Sequence, residues 1–435
     1  MRIVFVSQPR DPIAAGPRQR GSVAIVLAGL AHALAPRHEV TVIAPRAPDQ
    51  AEREITEEGL RIRRLSAGSR NLHRALDLLN GLLPGAEPHL LAASYHAGYQ
   101  RAVLRALAED PPDLVHVMVL GPLVERLARA LPAVPRVLHL HDDFLLHFDR
   151  ARARRRLAAA SAVVVPSPWL ARAFAAAFPE AATKIRALPN GVDLDLFRPD
   201  PKPAPRGGER LLFVGRLSPE KGVHVAVEAF ARLAPHRPGL RLELVGEPGL
   251  LPYAYLARAP RSEALAAALA FYGRDPLTRF WRELVARGSG YREAVLAPLP
   301  PEIRARIGLS GSLAHDRLPE LYRSADLLLA PSVCQESFCL PVAEALASGL
   351  AVVASRCGGP TDLLGARDGS EEAEVGLLVP KGDAVALANA IETLLADPER
   401  RRRMGEAGRR RAEAELAWPL VAARLERVYA ELRSG

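Results

Sequence analysis

Residues 211–230 read LLFVGRLSPEKGVHVAVEAF. The apolar run 211–215 has strand character and ends at Gly215. Arg216 follows, Pro219–Glu220 stand at a helix start, and Lys221–Gly222 lead into helical spacing, so a helix is expected over 220–234. A strand this apolar, followed by a turn and a helix, is the building unit of a parallel sheet covered on both faces. The same turn sets Arg216 and Lys221 over the orphan N–H groups of a helix start. Arg216 can give a phosphate two donors, Lys221 adds a point charge, and the amides add a partial positive end. This is an anion site.

The pattern extends in both directions. Downstream, LRLELVG (240–246), DLLLAPS (326–332), AVVAS (351–355) and VGLLVP (375–380) are expected strands, and helices run from Asp383 to the end. Upstream, RPDPKPAPRGGE (198–209) has no periodicity and reads as a linker. Before it, IVFVS (3–7), VTVIA (40–44), DLVHVM (113–118), RVLHLH (136–141), AVVVPS (162–167) and KIRALPN (184–190) form a second strand series. Its helices include Ser22–Ala35 and Gly121–Leu131. The expected architecture is α/β: two doubly wound Rossmann-like domains, 1–197 and 210–415, facing across a cleft at the carboxyl ends of their sheets. Residues 248–306 fit poorly and read as an insertion. They hold Tyr253, Tyr255, Phe271, Tyr272, Phe280, Trp281 and Tyr291, which suggests an acceptor-side or oligomer surface. In 416–435, Trp418, Val421, Leu425, Val428 and Leu432 make an apolar stripe that must be buried.

At 435 residues the chain is long enough for two or three domains, and 49% hydrophobic with 25% charged residues excludes a disordered or fibrous class. No run is long and apolar enough to span a membrane, and the start lacks a signal-peptide layout, so a cytoplasmic protein is expected. The formal charge of +9 invites a nucleic-acid reading. Yet only four of the 58 basic residues are lysines, and the arginine clusters at 152–156 and 400–403 lie in helical stretches without interleaved aromatics. They read as solvated helix faces, with peripheral contact to an anionic membrane as the competing reading and no nucleic-acid partner. Cys334, Cys339 and Cys357 form no metal or disulfide pattern.

A second motif, PSVCQESFCLPVAEALASG (331–349), follows a strand. It supplies Glu336, then a helix with Pro341 in its first turn, Glu344 one turn in and Gly349 as its stop. The amides of Ser337, Phe338, Cys339 and Leu340 are expected to form a nest, and a carboxylate at its mouth is suited to grip hydroxyls. Glu344, among Val342, Ala343, Ala345 and Leu346, needs a partner if buried; vicinal sugar or ribose hydroxyls would serve.

With the E-x7-E pair Glu336 and Glu344, GRLSPEKG, PNGVDLDLFRP (189–199) and SRCGGPTDLL (355–364), the chain resembles the family 4 glycosyltransferases, retaining enzymes of the GT-B fold that use nucleotide sugars. The resemblance implies that Arg216 and Lys221, next to Gly215, hold the diphosphate, that Glu336 contacts the transferred sugar and that Glu344 holds the ribose. It also implies a glycine pair before the first helix, here Gly21–Ser22, a sugar-contacting histidine at His141, and a final helix that returns to the first domain. His139 has the same strand parity as His141, and only the resemblance chooses between them. Cys339 stands where the family commonly has glycine.

The expected reaction transfers a sugar from a nucleoside-diphosphate sugar, UDP- or GDP-linked, to a sugar, lipid-linked or small-molecule hydroxyl. Negative charge grows on the departing phosphate, and Arg216, Lys221 and the helix N-termini stabilise it. No metal or other cofactor is expected. With Glu336 and Glu344 committed to hydroxyls, same-face attack is favoured over a covalent intermediate. A glycogen- or sucrose-synthase-like transferase, a nucleotide-sugar epimerase of the same fold, a non-enzymatic binding protein and a homo-oligomer are the other readings.

Overall fold

In the computed structural model, strands and helices alternate along the chain, and residues 1–435 are described except 16–18, 20, 70–71, 74, 77–88, 201–207, 252, 261, 274, 276–277, 280–288, 366–371 and 435. The chain divides into two compact units, Met1–Gly191 with Leu416–Gly435, and Val192–Glu415. Most of the expected linker, together with Phe280 and Trp281, lies outside the described residues.

In the first unit the strands are β1 (Arg2–Val6), β2 (Glu39–Pro45), β3 (Arg53–Ile55), β4 (Arg61–Leu65), β5 (Leu114–Met118), β6 (Arg136–His139), β7 (Ala162–Val165) and β8 (Ile185–Ala187). They form one sheet in the order β3-β4-β2-β1-β5-β6-β7-β8, parallel except for the β3–β4 edge. The second unit holds β9 (Arg210–Val214), β10 (Arg241–Val245), β11 (Ile307–Gly311), β12 (Leu327–Ala330), β13 (Val352–Ser355), β14 (Glu372–Ala373) and β15 (Gly376–Val379), ordered β11-β10-β9-β12-β13-β15-β14. Central strands are buried end to end, as both-face coverage requires. The order reverses at β1/β5 in one sheet and at β9/β12 in the other. The crevice at such a reversal is where open α/β sheets bind ligands.

The final helix, Trp418–Ser434, packs within the first unit. Its stripe is buried at Val421 and Leu425, and Tyr429 donates or accepts at His116 Nδ1, 2.7 Å away. Trp418 lies so close to two glycines that a Cβ on Gly29 or Gly191 would meet its indole at 2.2 or 2.3 Å.

Two expectations need correction. The helix expected from 220 begins at Val223, because Gly222 takes the left-handed conformation (φ 72°) and closes a separate 3-10 turn over Pro219–Lys221. Two arginines from the supposed solvated faces are tied down: Arg156 is buried and bonds Leu91 O and Glu125, while Arg401 Nη1 donates to Leu394 O and Leu395 O at 2.9 Å. Part of the aromatic set of 248–306 is interior. Tyr255, Tyr272 and Tyr291 are buried, and Tyr291 OH lies 2.8 Å from His224 Nδ1 on the Val223–Leu233 helix. Tyr291 belongs to the second unit's main core, and Tyr272 packs with Leu256 and Leu265 in a smaller cluster.

Candidate functional site

The loops after β9 and β12 meet at the reversal of the second sheet. Gly222 lets them close: a Cβ there would fall 1.9 Å from Pro331 O. Val333 N donates to Glu220 O at 3.0 Å, so the two sequence motifs are joined through backbone. Side chains complete the joint. Lys221 Nζ and Ser332 Oγ both reach Glu336 Oε1 at 2.6 Å. Burial works against the Lys221 ammonium, but Glu336 outweighs it and raises the group above its ordinary value.

Arg216 leans on the same turn. Its Nε and Nη2 lie 3.2 and 3.0 Å from Glu220 Oε1, which also accepts from Ser218 Oγ at 2.7 Å. Both cations expected to hold a phosphate are therefore present, each against an internal carboxylate.

After Glu336 the chain turns into the Leu340–Ala347 helix through Cys339, whose φ of 76° is unusual for a residue with a side chain and accounts for a preference for glycine there. The amides of Ser337, Phe338 and Cys339 donate to no acceptor among the described residues. Burial pushes the Cys339 thiol up to about 12, so its amide, not a thiolate, is what it offers a ligand. The helix stops as expected. Leu350 N donates to Ala345 O at 2.9 Å and Gly349 N to Leu346 O at 3.0 Å, with Gly349 left-handed. SRCGGPTDLL supports this loop from behind: Gly359 N donates to Glu336 O at 2.7 Å, and a Cβ on Gly359 would sit 2.4 Å from Phe338 Cα.

Glu344 is buried, and its partners are protein groups rather than only the ligand hydroxyls anticipated. His315 Nε2 lies 2.7 Å from Oε1, and Tyr322 OH donates to Oε2 at 2.7 Å. Burial opposes a charged His315, but the hydrogen bond and the charge of Glu344, together with the charges of Asp193 and Asp316, outweigh it and raise its pKa. The sequence does not single out His315, Tyr322, Ser332 or Glu220 as site residues; Glu220 lies inside GRLSPEKG and Ser332 inside PSVCQESFCLPVAEALASG, whereas His315 and Tyr322 lie in no motif.

The remaining candidates belong to the first unit. Gly21, exposed with φ 92°, is the N-cap of the Ser22–Leu34 helix, which has no side-chain cap. His141 follows β6 and stacks on His139 at 4.2 Å between ring centroids. His139 Nδ1 in turn lies 3.0 Å from His116 Nε2. Burial pushes His116 and His141 down to about 3 and His139 well below its ordinary value, so all three rings are neutral. The Nε2 atoms of His139 and His141 are buried without a partner among the described residues.

Among the described residues no group of three or more His, Cys, Asp or Glu is placed to hold a metal ion, and no helix is long and apolar enough to cross a membrane.

Two doubly wound α/β units are the architecture of the GT-B glycosyltransferases, and comparison with known proteins shows the family. The family model "Glycosyltransferase Family 4" matches residues 23–196, and "Glycosyl transferases group 1" matches 198–279 and 300–411. The chain belongs to the family 4 glycosyltransferases. It is 30% identical to the D-inositol 3-phosphate glycosyltransferase of Kineococcus radiotolerans, over 98% of this chain and 94% of that one. It is 24% identical to spore coat protein SA of Bacillus subtilis over the full length of both. Among solved structures, sucrose-phosphate synthase from Thermosynechococcus elongatus shares the fold with a TM-score of 0.72 at 23% identity, with both chains covered completely. Anabaena HepE in complex with UDP-glucose gives 0.66 at 20% identity, again over the whole of both chains.

Proposed function

We propose that the protein is a retaining hexosyltransferase that moves a sugar from a UDP- or GDP-sugar to a hydroxyl of a sugar, a lipid-linked sugar or a small metabolite. The observation that carries this reading is the convergence at β9 and β12 of Arg216, Lys221 and the acceptor-free amides of residues 337–339. That combination suits a diphosphate. HepE has been solved with UDP-glucose, which supports a nucleotide-sugar donor for this chain as well.

In the proposed reaction the bond from the anomeric carbon to the diphosphate oxygen breaks, and the acceptor oxygen bonds that carbon on the same face. The acceptor's proton passes to the leaving phosphate. Arg216 and Lys221 take up the charge that grows on this leaving group, an interaction stronger in the transition state than in the ground state. Glu336, held by Lys221 and Ser332, keeps its second oxygen for a sugar hydroxyl, and Glu344 serves the ribose. In the first unit, Gly21, Ser22 and neutral His141 are the candidate contacts, the imidazole through its unpartnered Nε2.

The test is incubation with UDP-, GDP- and ADP-glucose and GDP-mannose, first without and then with trial sugar acceptors. Release of nucleoside diphosphate from one donor, and a product whose anomeric proton keeps the donor's coupling, are expected. Inverted product would remove the retaining assignment.

A further inference from the structure

We propose that Glu220 is a positioning residue that fixes the guanidinium of Arg216 for a phosphate ligand, with Gly249 leaving the channel in which the Arg216 stem runs. The proposal rests on the reading of Arg216 as a phosphate ligand. The Glu220 side chain is 5% exposed and that of Arg216 is 39% exposed, so the carboxylate is interior and the guanidinium reaches outward from it. Glu220 Oε1 takes Nε and Nη2 of one guanidinium edge together with the Ser218 hydroxyl, while Oε2 is buried without a partner among the described residues. A carboxylate with one buried oxygen unused is a costly way to hold a loop that backbone bonds already hold. Its effect falls on Arg216: the guanidinium has five N–H groups, and those not facing Glu220 remain for an anion.

The stem of Arg216 is confined from the other side. A Cβ on Gly249 would meet Arg216 Cδ at 2.7 Å, and one on Gly246 would meet Gly215 O at 1.9 Å, so side chains at either position would displace the turn. The strand end and the 246–249 loop are tied by Leu217 N to Glu247 O at 2.9 Å and Gly249 N to Leu217 O at 3.3 Å. Stem and head of Arg216 are thus both constrained, and a planar fork aimed in advance spends less freedom when it binds phosphate.

The experiment uses the full chain and calorimetric titration of UDP, GDP and ADP, carrying forward whichever binds wild type most tightly. Glu220→Leu is expected to weaken that nucleotide about tenfold or more. Glu220→Gln, which keeps an acceptor for Nε–H and for Ser218, is expected to stay within about threefold of wild type. Thermal melting establishes that each variant is folded. Arg216→Ala should weaken binding at least as much as Glu220→Leu, and Arg216→Ala with Glu220→Leu should fall no further, because Glu220 acts through Arg216. If Arg216→Ala binds like wild type, the phosphate role of Arg216 itself fails, and this proposal with it. If Arg216→Ala is weak while Glu220→Leu matches wild type, or if the two losses add, only the positioning role is overturned.

Discussion

Replacing Glu344 by Gln removes one charge from a buried trio and keeps its size. In the wild type the carboxylate, 4% exposed, accepts from His315 and Tyr322 at 2.7 Å each, and His315 is 13% exposed. Hydrogen bonds to a buried charged group contribute about 1.5–3 kcal/mol, against about 0.5–1.5 for neutral ones, so two such bonds put the loss at about 2–3 kcal/mol. The loss depends on pH. The His315 pKa is raised in the folded protein, so its contribution is complete below its unfolded value near 6.5 and disappears as pH rises through the folded value. For a domain of this size 1 kcal/mol moves Tm by about 2–4 °C, which gives a gap between wild type and Glu344→Gln of about 4–12 °C at pH 5.5, narrowing by pH 9. Differential scanning calorimetry of both proteins at the two pH values cancels the titration of every other group. A gap that is absent at pH 5.5, or equal at both pH values, would refute the reasoning.

Other substitutions probe separate parts of the account. Gly29→Ala drives a methyl into the Trp418 indole and should cost about 1–3 kcal/mol in urea unfolding, less in a Trp418→Leu background; an unchanged midpoint would count against that packing. Cys339→Gly should stabilise by about 0.5–1 kcal/mol, because relief of the left-handed backbone exceeds glycine's added unfolded-state entropy, and a lower urea midpoint would contradict this. The three depressed histidines His116, His139 and His141 lose stability as pH falls below about 6.5, while Asp142, raised by burial to about 7, gains it. Through the histidines stability should fall as pH drops from about 6.5, and His139→Gln should make that fall shallower in urea unfolding at pH 6 and pH 4. A slope unchanged in that variant would show that His139 is not held neutral.

The central strands were legible because burial on both faces leaves an unbroken apolar run, as in AVVV or LLLA. The edges were not. β4 reads RIRRL with burial only at Ile62 and Arg64, and β11 reads IGLSG with no buried residue, so neither carries the signal of a covered strand. In the site, the residues that would meet a ligand lie in compact motifs whose glycine and proline positions reflect steric need, as Gly222 against Pro331 shows. The supports of Glu344 lie elsewhere in the chain. His315 and Tyr322 reach Glu344 from a turn and a helix after β11, and only folding brings them within hydrogen-bond range. The aromatic-rich segment shows the same limit: composition reports that Tyr255, Tyr272 and Tyr291 are large and apolar, not which side of them is covered.

The central claim is that the joined loops after β9 and β12 bind the diphosphate of a nucleotide sugar, and Lys221 tests it most directly. Lys221→Met keeps the apolar stem, removes the ammonium 2.6 Å from Glu336 and leaves that carboxylate without its cation. Titration of UDP, GDP and ADP into wild type and variant should show one nucleotide bound by the wild type and weakened in Lys221→Met by about 2–4 kcal/mol, roughly 30- to 1,000-fold. Equal affinity in the two proteins, or no binding of any of the three nucleotides to the wild type, would contradict the account.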